Sequence, residues 1–242
     1  MNAGAVSVRG LSKLFHHHLP RYRTMVGRLR CALGGGRPVL PVWALKDVSF
    51  EVGRGECLGV SGPNGSGKST LLAVIAGILE PTSGSVGVEG RVNTFFNLRA
   101  GLQAELSVKD NVEICGILMG LRRWDIRDRL DAILDFAEMA QLAEVRMAEL
   151  STGQAARVAF AAAVHSDLDV LLVDEVLAVG DQAFQEKCRL AFARLRREGK
   201  TLLVVSHDEA LLRGLAARVL RLREGRVTAL EETAAPREPA RD

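Results

Sequence analysis

The sequence predicts an α/β sheet carrying a helical insertion, and three observations lead there. Strand and helix patterns alternate along the chain. A glycine-rich loop joins one apolar strand directly to a helix. Two short, wholly apolar runs, 170–173 and 202–205, read as parallel strands covered on both faces.

In chain order, Val6 and Val8 alternate with polar neighbours and open a short strand. Between His16 and Val42 the pattern breaks into Pro, Gly and Arg, with a loop at 34–38. Inside that stretch Tyr22, Met25, Val26, Leu29 and Leu33 recur at helical spacing among Arg21, Arg23, Arg28 and Arg30. That predicts a short basic amphipathic helix, of the kind that lies on a membrane surface or against a partner. His16, His17 and His18 are consecutive and lack a clustered partner, so no metal site is expected there. Strands at 48–52 and 56–61 follow, then a helix over 68–77 closed by Gly77. After a turn at 81–84 come strand-like stretches at 85–88 and 91–96. Residues from about 108 to 147 are mainly helical, with Leu130, Ile133, Leu134 and Ala137 forming one apolar stripe. A helix spans 181–198, one more strand follows Gly225, and the chain frays from 231.

Composition sets the outer limits. With 242 residues, 48% of them apolar and 25% charged, the chain can bury a sizeable core, which excludes wholesale disorder. No apolar run reaches the roughly 18 residues that cross a bilayer, and no secretory leader is expected. Cys31, Cys57, Cys115 and Cys188 form no CxxC pair, so neither a disulfide framework nor a zinc site is indicated, and reduced thiols in a cytosolic protein are expected. The net charge of +3 hides an asymmetry: the first 46 residues carry +8 and the remaining 196 carry −5. That basic segment either meets an anionic partner, lipid headgroups or nucleic acid, or is a solvated loop.

The chemistry is concentrated in three places. Gly62, Pro63, Asn64, Gly65, Ser66, Gly67, Lys68 and Ser69 match GxxxxGK[ST] between a predicted strand and a predicted helix, with Thr70 next in the first turn. Glycines there let consecutive N–H groups turn onto phosphate oxygens, and the helix start adds its positive end. Lys68 then places a charge on the β- and γ-phosphates, and the Ser69 hydroxyl can ligate Mg²⁺. Asp174 and Glu175 end the apolar run 170–173, where a carboxylate can hold Mg²⁺ through water and the next can orient or deprotonate the attacking water. This pair favours hydrolysis over phosphoryl transfer to a second substrate. Ser151, Gly153 and Gln154 open an Ala-rich helix, which is either a second anion site or a plain helix cap.

The stretch Leu150-Ser151-Thr152-Gly153-Gln154, placed 20 residues before Asp174 and after a helical insertion, resembles the signature motif of ABC-type ATPases. The resemblance runs from about residue 5 to 230. It implies a mixed-sheet core with an α-helical subdomain over 98–150 and a small antiparallel β subdomain. It also implies that His207, in Ser206-His207-Asp208, is the switch histidine that senses the γ-phosphate. Val179-Gly180-Asp181 resembles the loop through which two nucleotide sites communicate. Phe15 corresponds to the adenine-stacking aromatic, with Trp43 as its rival. No clear Q-loop glutamine precedes Leu106; Asn97 occupies about that place and Gln103 lies further on.

The stretches at 43–50, 77–84 and 174–188 are most similar to the ATPase subunits of polysaccharide exporters for O-antigen, capsule and teichoic acid. Thr152 in place of a second glycine is shared with that branch; Gln154 stands where the branch often has methionine. The branch implies ATP and Mg²⁺ as ligands, a head-to-tail homodimer, a separate membrane permease as partner, and a peripheral place on the cytoplasmic face of the membrane. It also puts the basic segment 16–43 near that membrane, expects no nucleic acid, and expects no C-terminal carbohydrate-binding domain here. A cassette for lipids, drugs or small solutes, or a soluble ABC ATPase, are the rival expectations.

Overall fold

The protein is described from a computed structural model, over residues 5–18, 39–95, 101–174 and 181–233. Its strands are β1 (Val6–His18), β2 (Val39–Val52), β3 (Cys57–Ser61), β4 (Ser83–Val88), β5 (Val92–Thr94), β6 (Val170–Asp174), β7 (Thr201–Val205), β8 (Arg218–Arg223) and β9 (Arg226–Glu232). Its helices are α1 (Lys68–Ile75), α2 (Val108–Leu118), α3 (Arg123–Ala137), α4 (Thr152–Val164), α5 (Gln182–Arg197) and α6 (Glu209–Leu215). The main sheet has the order β5-β6-β7-β3-β8-β9, parallel except for β9, and β2-β1-β4 form a separate antiparallel sheet.

The apolar runs that predicted covered strands divide their side chains between two cores. Val170 and Leu172 of β6 and Leu203 and Val205 of β7 join Val6, Val8, Leu45, Val48, Leu71 and Leu72 beneath the small sheet and α1. Leu171, Val173, Leu202 and Val204 face the other way, onto α2 to α6, with Phe160, Phe184 and Phe192 at the centre. Successive side chains of a strand point to opposite faces, so a strand with a core on each side must be apolar throughout. The stripe predicted on α3 is buried at Ile133, Leu134 and Ala137, with Leu130 packed beside it. Cys57, Cys115 and Cys188 lie buried and free; burial pushes their thiols up to about 12, about 11 and about 12, so none is a nucleophile.

Several boundaries differ from the sequence expectation. β1 does not stop near His16 but continues to His18, because Phe15, His16 and His17 find cross-strand partners in Val42, Pro41 and Leu40 of β2. Pairing overrides the polar, Pro-containing sequence, and Pro41 is tolerated because β2 is an edge strand. Strand β4 begins at Ser83, inside the expected turn. β9 runs to Glu232 rather than fraying from 231, held where Arg221 donates to Glu231. β5 is limited to Val92–Thr94. The predicted amphipathic helix of the basic segment lies outside the described residues. No described helix is long and apolar enough to cross a membrane, and no group of His, Cys, Asp or Glu that could hold a metal occurs among the described residues.

The small sheet comes close to the glycine-rich loop and to the β8–β9 turn at one backbone carbonyl. Lys13 pairs with Leu45 and Leu14 with Trp43, so Ala44 is left over as a bulge in β2. Ala44 O lies 2.4 Å from where a Cβ on Gly67 would stand and 2.7 Å from where one on Gly225 would stand. Gly225 N–H donates to Ser66 O at 3.0 Å, and Lys46 N–H donates to Gly225 O at 2.7 Å. Gly225 has φ +79°, whereas Gly77, at φ +72°, faces open space. Gly225→Ala should therefore combine left-handed strain with overpacking and lower stability by about 2–4 kcal/mol, against about 1 kcal/mol for Gly77→Ala. Denaturant unfolding of the two variants checks the difference.

Candidate functional site

The glycine-rich loop leaves the C-terminal end of β3, the central strand of the main sheet, and feeds α1. Gly62 begins it under β8: a Cβ there would stand 2.1 Å from Leu222 O. Gly65 and Gly67 take φ of +76° and +106°, conformations open to glycine, and Gly67 is the N-cap of α1. A glycine cannot cap a helix with a side chain, and α1 has no side-chain cap. By contrast Ser107, Ser151, Asp181 and Asp208 cap α2, α4, α5 and α6. α3, with Arg122 at its N-cap, has no side-chain cap either, but the first N–H groups of α1 stand beside the glycine-rich loop, and the helix dipole favours an anion there.

Lys68 is buried, and its Nζ donates to Gly62 O at 2.8 Å and Pro63 O at 3.1 Å, so the ammonium is held over the loop. Ser66 is also buried, and its Oγ has no hydrogen-bond partner. An orphaned buried hydroxyl costs about 1–3 kcal/mol unless something bonds to it. Pro63, Asn64, Gly65 and Ser69 are exposed, and Thr70 is half-buried.

Strand register brings the other residues to the same edge. Asp174 ends β6 opposite Val205 of β7, and Val205 is opposite Val60 of β3. Asp174, Ser206-His207 and the glycine-rich loop therefore leave the sheet side by side at its C-terminal edge, the edge where α/β sheets bind ligands. His207 is exposed between Ser206, whose Oγ accepts from Asp208 N–H at 3.0 Å, and Asp208, which caps α6. Glu175 and Asn97 lie outside the described residues. Hydroxyl and carboxylate oxygens of the kind that Ser69 and Asp174 carry suit a hard divalent cation.

Ser151, Gly153 and Gln154 sit elsewhere, at the start of α4 among the helices. Ser151 Oγ accepts from Gln154 N–H at 3.2 Å, and Gln154 Oε1 accepts from Ser151 N–H at 2.9 Å, a closed capping box. Only the first of these bonds involves Ser151 Oγ, and it uses that oxygen as an acceptor, so the hydroxyl proton remains to be donated. Asp181 caps α5 through Phe184 N–H at 2.9 Å and pairs with Arg157 at 3.0 Å. Phe15 is half-buried with Lys13 Nζ 5.3 Å from its ring centroid, while Trp43 on the neighbouring strand is 45% exposed. Gln103 is exposed in a loop fixed by buried Asn111, which accepts from Gln103 N–H and donates to Gln103 O.

Residues 45–178 match the family described as ABC transporter. The chain belongs to that family. Within it, the O-antigen export system ATP-binding protein RfbB of Klebsiella pneumoniae is 39% identical over 186 residues, spanning 75% of this chain and 76% of the relative. The teichoic acids export ATP-binding protein TagH of Lactococcus lactis is 37% identical over 187 residues, 77% of this chain but 40% of the relative. A dimeric structure of a post-hydrolysis ATP-binding cassette bound to ADP and Pi superposes with TM-score 0.77 at 25% identity, over 95% of this chain and 99% of that one. The fold is that of an ABC ATPase, and ATP is the ligand class it takes.

Sequence reasoning missed Arg157, Gly225 and the orphaned Ser66 hydroxyl. Arg157 had a signal: a lone cation among Ala and Val on a helix that is otherwise buried. Its carboxylate partners give the subdomain an acid limit. Hydrogen bonding from Lys187, with Arg157 beside it, holds the Glu138 carboxyl below its ordinary range, and Phe184 N–H and Arg157 do the same for Asp181. A lowered folded-state pKa gives stability that is present above the ordinary carboxylate range and lost as pH falls below it. The melting temperature should drop as pH falls through about 4, and less steeply in Glu138→Gln, as calorimetry across pH 3–6 would read.

Proposed function

We propose that this protein is the ATP-hydrolysing subunit of an exporter that moves a polysaccharide or lipid-linked glycan across the cytoplasmic membrane. The observation that carries the ATPase reading is the uncapped α1 N-terminus, with buried Lys68 and the orphaned Ser66 hydroxyl, beside Asp174 at one sheet edge. The cargo class is supported by the export systems named for its relatives.

In this reading the N–H groups of 62–70 hold the phosphates of ATP, and Lys68 exchanges its carbonyl partners for phosphate oxygens. Ser69 and Asp174 would hold Mg²⁺, which when bound neutralises phosphate charge. Glu175 orients and deprotonates the attacking water, and His207 contacts the γ-phosphate. The aromatic face of Phe15 or Trp43 takes the base. Each chain holds one glycine-rich loop and one Ser151–Gln154 turn, on different parts of the fold. A second copy therefore supplies Ser151, Gly153 and Gln154 to the γ-phosphate, which the dimeric state of the similar cassettes supports. The permease is a separate membrane protein, reached through the helices of 98–150. With five arginines between residues 19 and 38, the basic segment suits an anionic membrane surface.

ATP turnover and oligomeric state of wild type, Lys68→Ala and Glu175→Gln test the mechanism. Lys68→Ala should lose ATP binding. Glu175→Gln should keep binding, turn over at least about 100-fold more slowly, and accumulate as an ATP-bound dimer. Equal turnover in wild type and Glu175→Gln would remove Glu175 from the mechanism.

A further inference from the structure

Arg221 stands near the end of β8, opposite Ser61, the last residue of β3 before the glycine-rich loop. Val219, two residues earlier on the same face, packs into the core under the helices, so Arg221 points towards α6 and away from the small sheet. Its side chain is 26% exposed, and all three guanidinium nitrogens are engaged. Nε and one terminal nitrogen donate to the two oxygens of Glu231 on β9, at 3.0 and 3.2 Å, as a bidentate pair. The other terminal nitrogen donates to Glu209, the first residue of α6. Arg213, one turn further along α6, lies 3.7 Å from the second oxygen of Glu209.

Glu209 is two residues beyond His207, and the turn between them is held from several sides. Ser206 N–H donates to Val60 O at 3.2 Å, which fastens the start of the turn to β3. Asp208 N–H donates to Ser206 Oγ at 3.0 Å, and Asp208 Oδ1 accepts from Leu211 N–H at 3.1 Å. α6 has only seven residues, too few to keep a direction through its own hydrogen bonds. Its buried side chains, Leu212 and Leu215, lie past the first residues of the helix. The tie to the sheet at its first residue is the one from Arg221 to Glu209.

We propose that Arg221 is a positioning residue for ATP hydrolysis: clamped by Glu231, it holds Glu209 and so sets where His207 stands at the phosphate edge. The inference rests on the role given to His207 above. Arginine suits the task because its planar fork, locked onto one carboxylate, aims its remaining N–H groups in a fixed direction.

Kinetics of a few variants separate positioning from a structural role. Arg221→Met keeps the aliphatic stem and removes the fork. It should lower kcat about tenfold with KM for ATP within about twofold, because ATP is held by 62–70 and a small displacement of a reacting-site group is costly. Glu209→Gln should act in the same way, and the double variant should be no slower than the slower single one, since both remove one link. Placed on His207→Ala, Arg221→Met should slow the residual turnover no further, an outcome that general loss of stability would not give. Arg218→Met breaks the partly buried pair with Glu56 (2.6 Å) at the other end of β8; it should lower the melting temperature and leave kcat unchanged. The inference is overturned if Arg221→Met turns over at the wild-type rate, if KM rises while kcat holds, or if the substitution slows His207→Ala as much as it slows wild type. A His207→Ala protein as fast as wild type would instead overturn the role of His207 and take the inference with it.

Discussion

The carbonyl of Ala44 stands close against Gly67 and Gly225, and that approach limits which residues the phosphate edge can use. A bulge in β2 pushes this oxygen into a space bounded by Gly67 on one side and Gly225 on the other. Neither position has room for a methyl group. The glycine before Lys68 is therefore required twice, once for its left-handed backbone and once for the strand that presses on it. The β8–β9 turn reaches the same point and bonds to Ser66 O. Three segments distant in sequence thus close around the loop.

The same economy appears in the strands. β6 and β7 give alternate side chains to a core under the small sheet and a core under the helices. Any polar residue within them would meet one core or the other, so polar chemistry can begin only where the strands end. Asp174 and Ser206-His207 are the first polar residues after those apolar runs, and register places them level with the end of β3. The site lies where the strands buried on both faces, β6 and β7, come to their ends.

Much of this was legible in the sequence because it depends on local pattern. The loop 62–69 between a strand and a helix, the apolar runs 170–173 and 202–205, and the stripe on α3 each follow from spacing within a few residues. What escaped was non-local. The extension of β1 through His16 and His17 depends on pairing with Leu40 and Pro41, residues whose own propensities argue against a strand. Gly225 reads as an ordinary turn glycine until Ala44 is placed against it. Arg157 reads as one cation on a helix, and its value comes from Glu138, Asp181 and Phe184, which lie 19, 24 and 27 positions away. Ser151 was open to two readings, anion site or helix cap; the structure finds it as a cap, which leaves its hydroxyl proton for a second task.

That capping box has a consequence for what the start of α4 can still bind. Ser151 and Gln154 satisfy each other's backbone N–H groups, while those of Thr152 and Gly153, in the first turn, have no intrahelical partner. A ligand that took the Gln154 N–H from Ser151 Oγ would exchange one bond for another rather than add one. Such an exchange is close to neutral in free energy, because net hydrogen-bond gains reflect only the difference between partners.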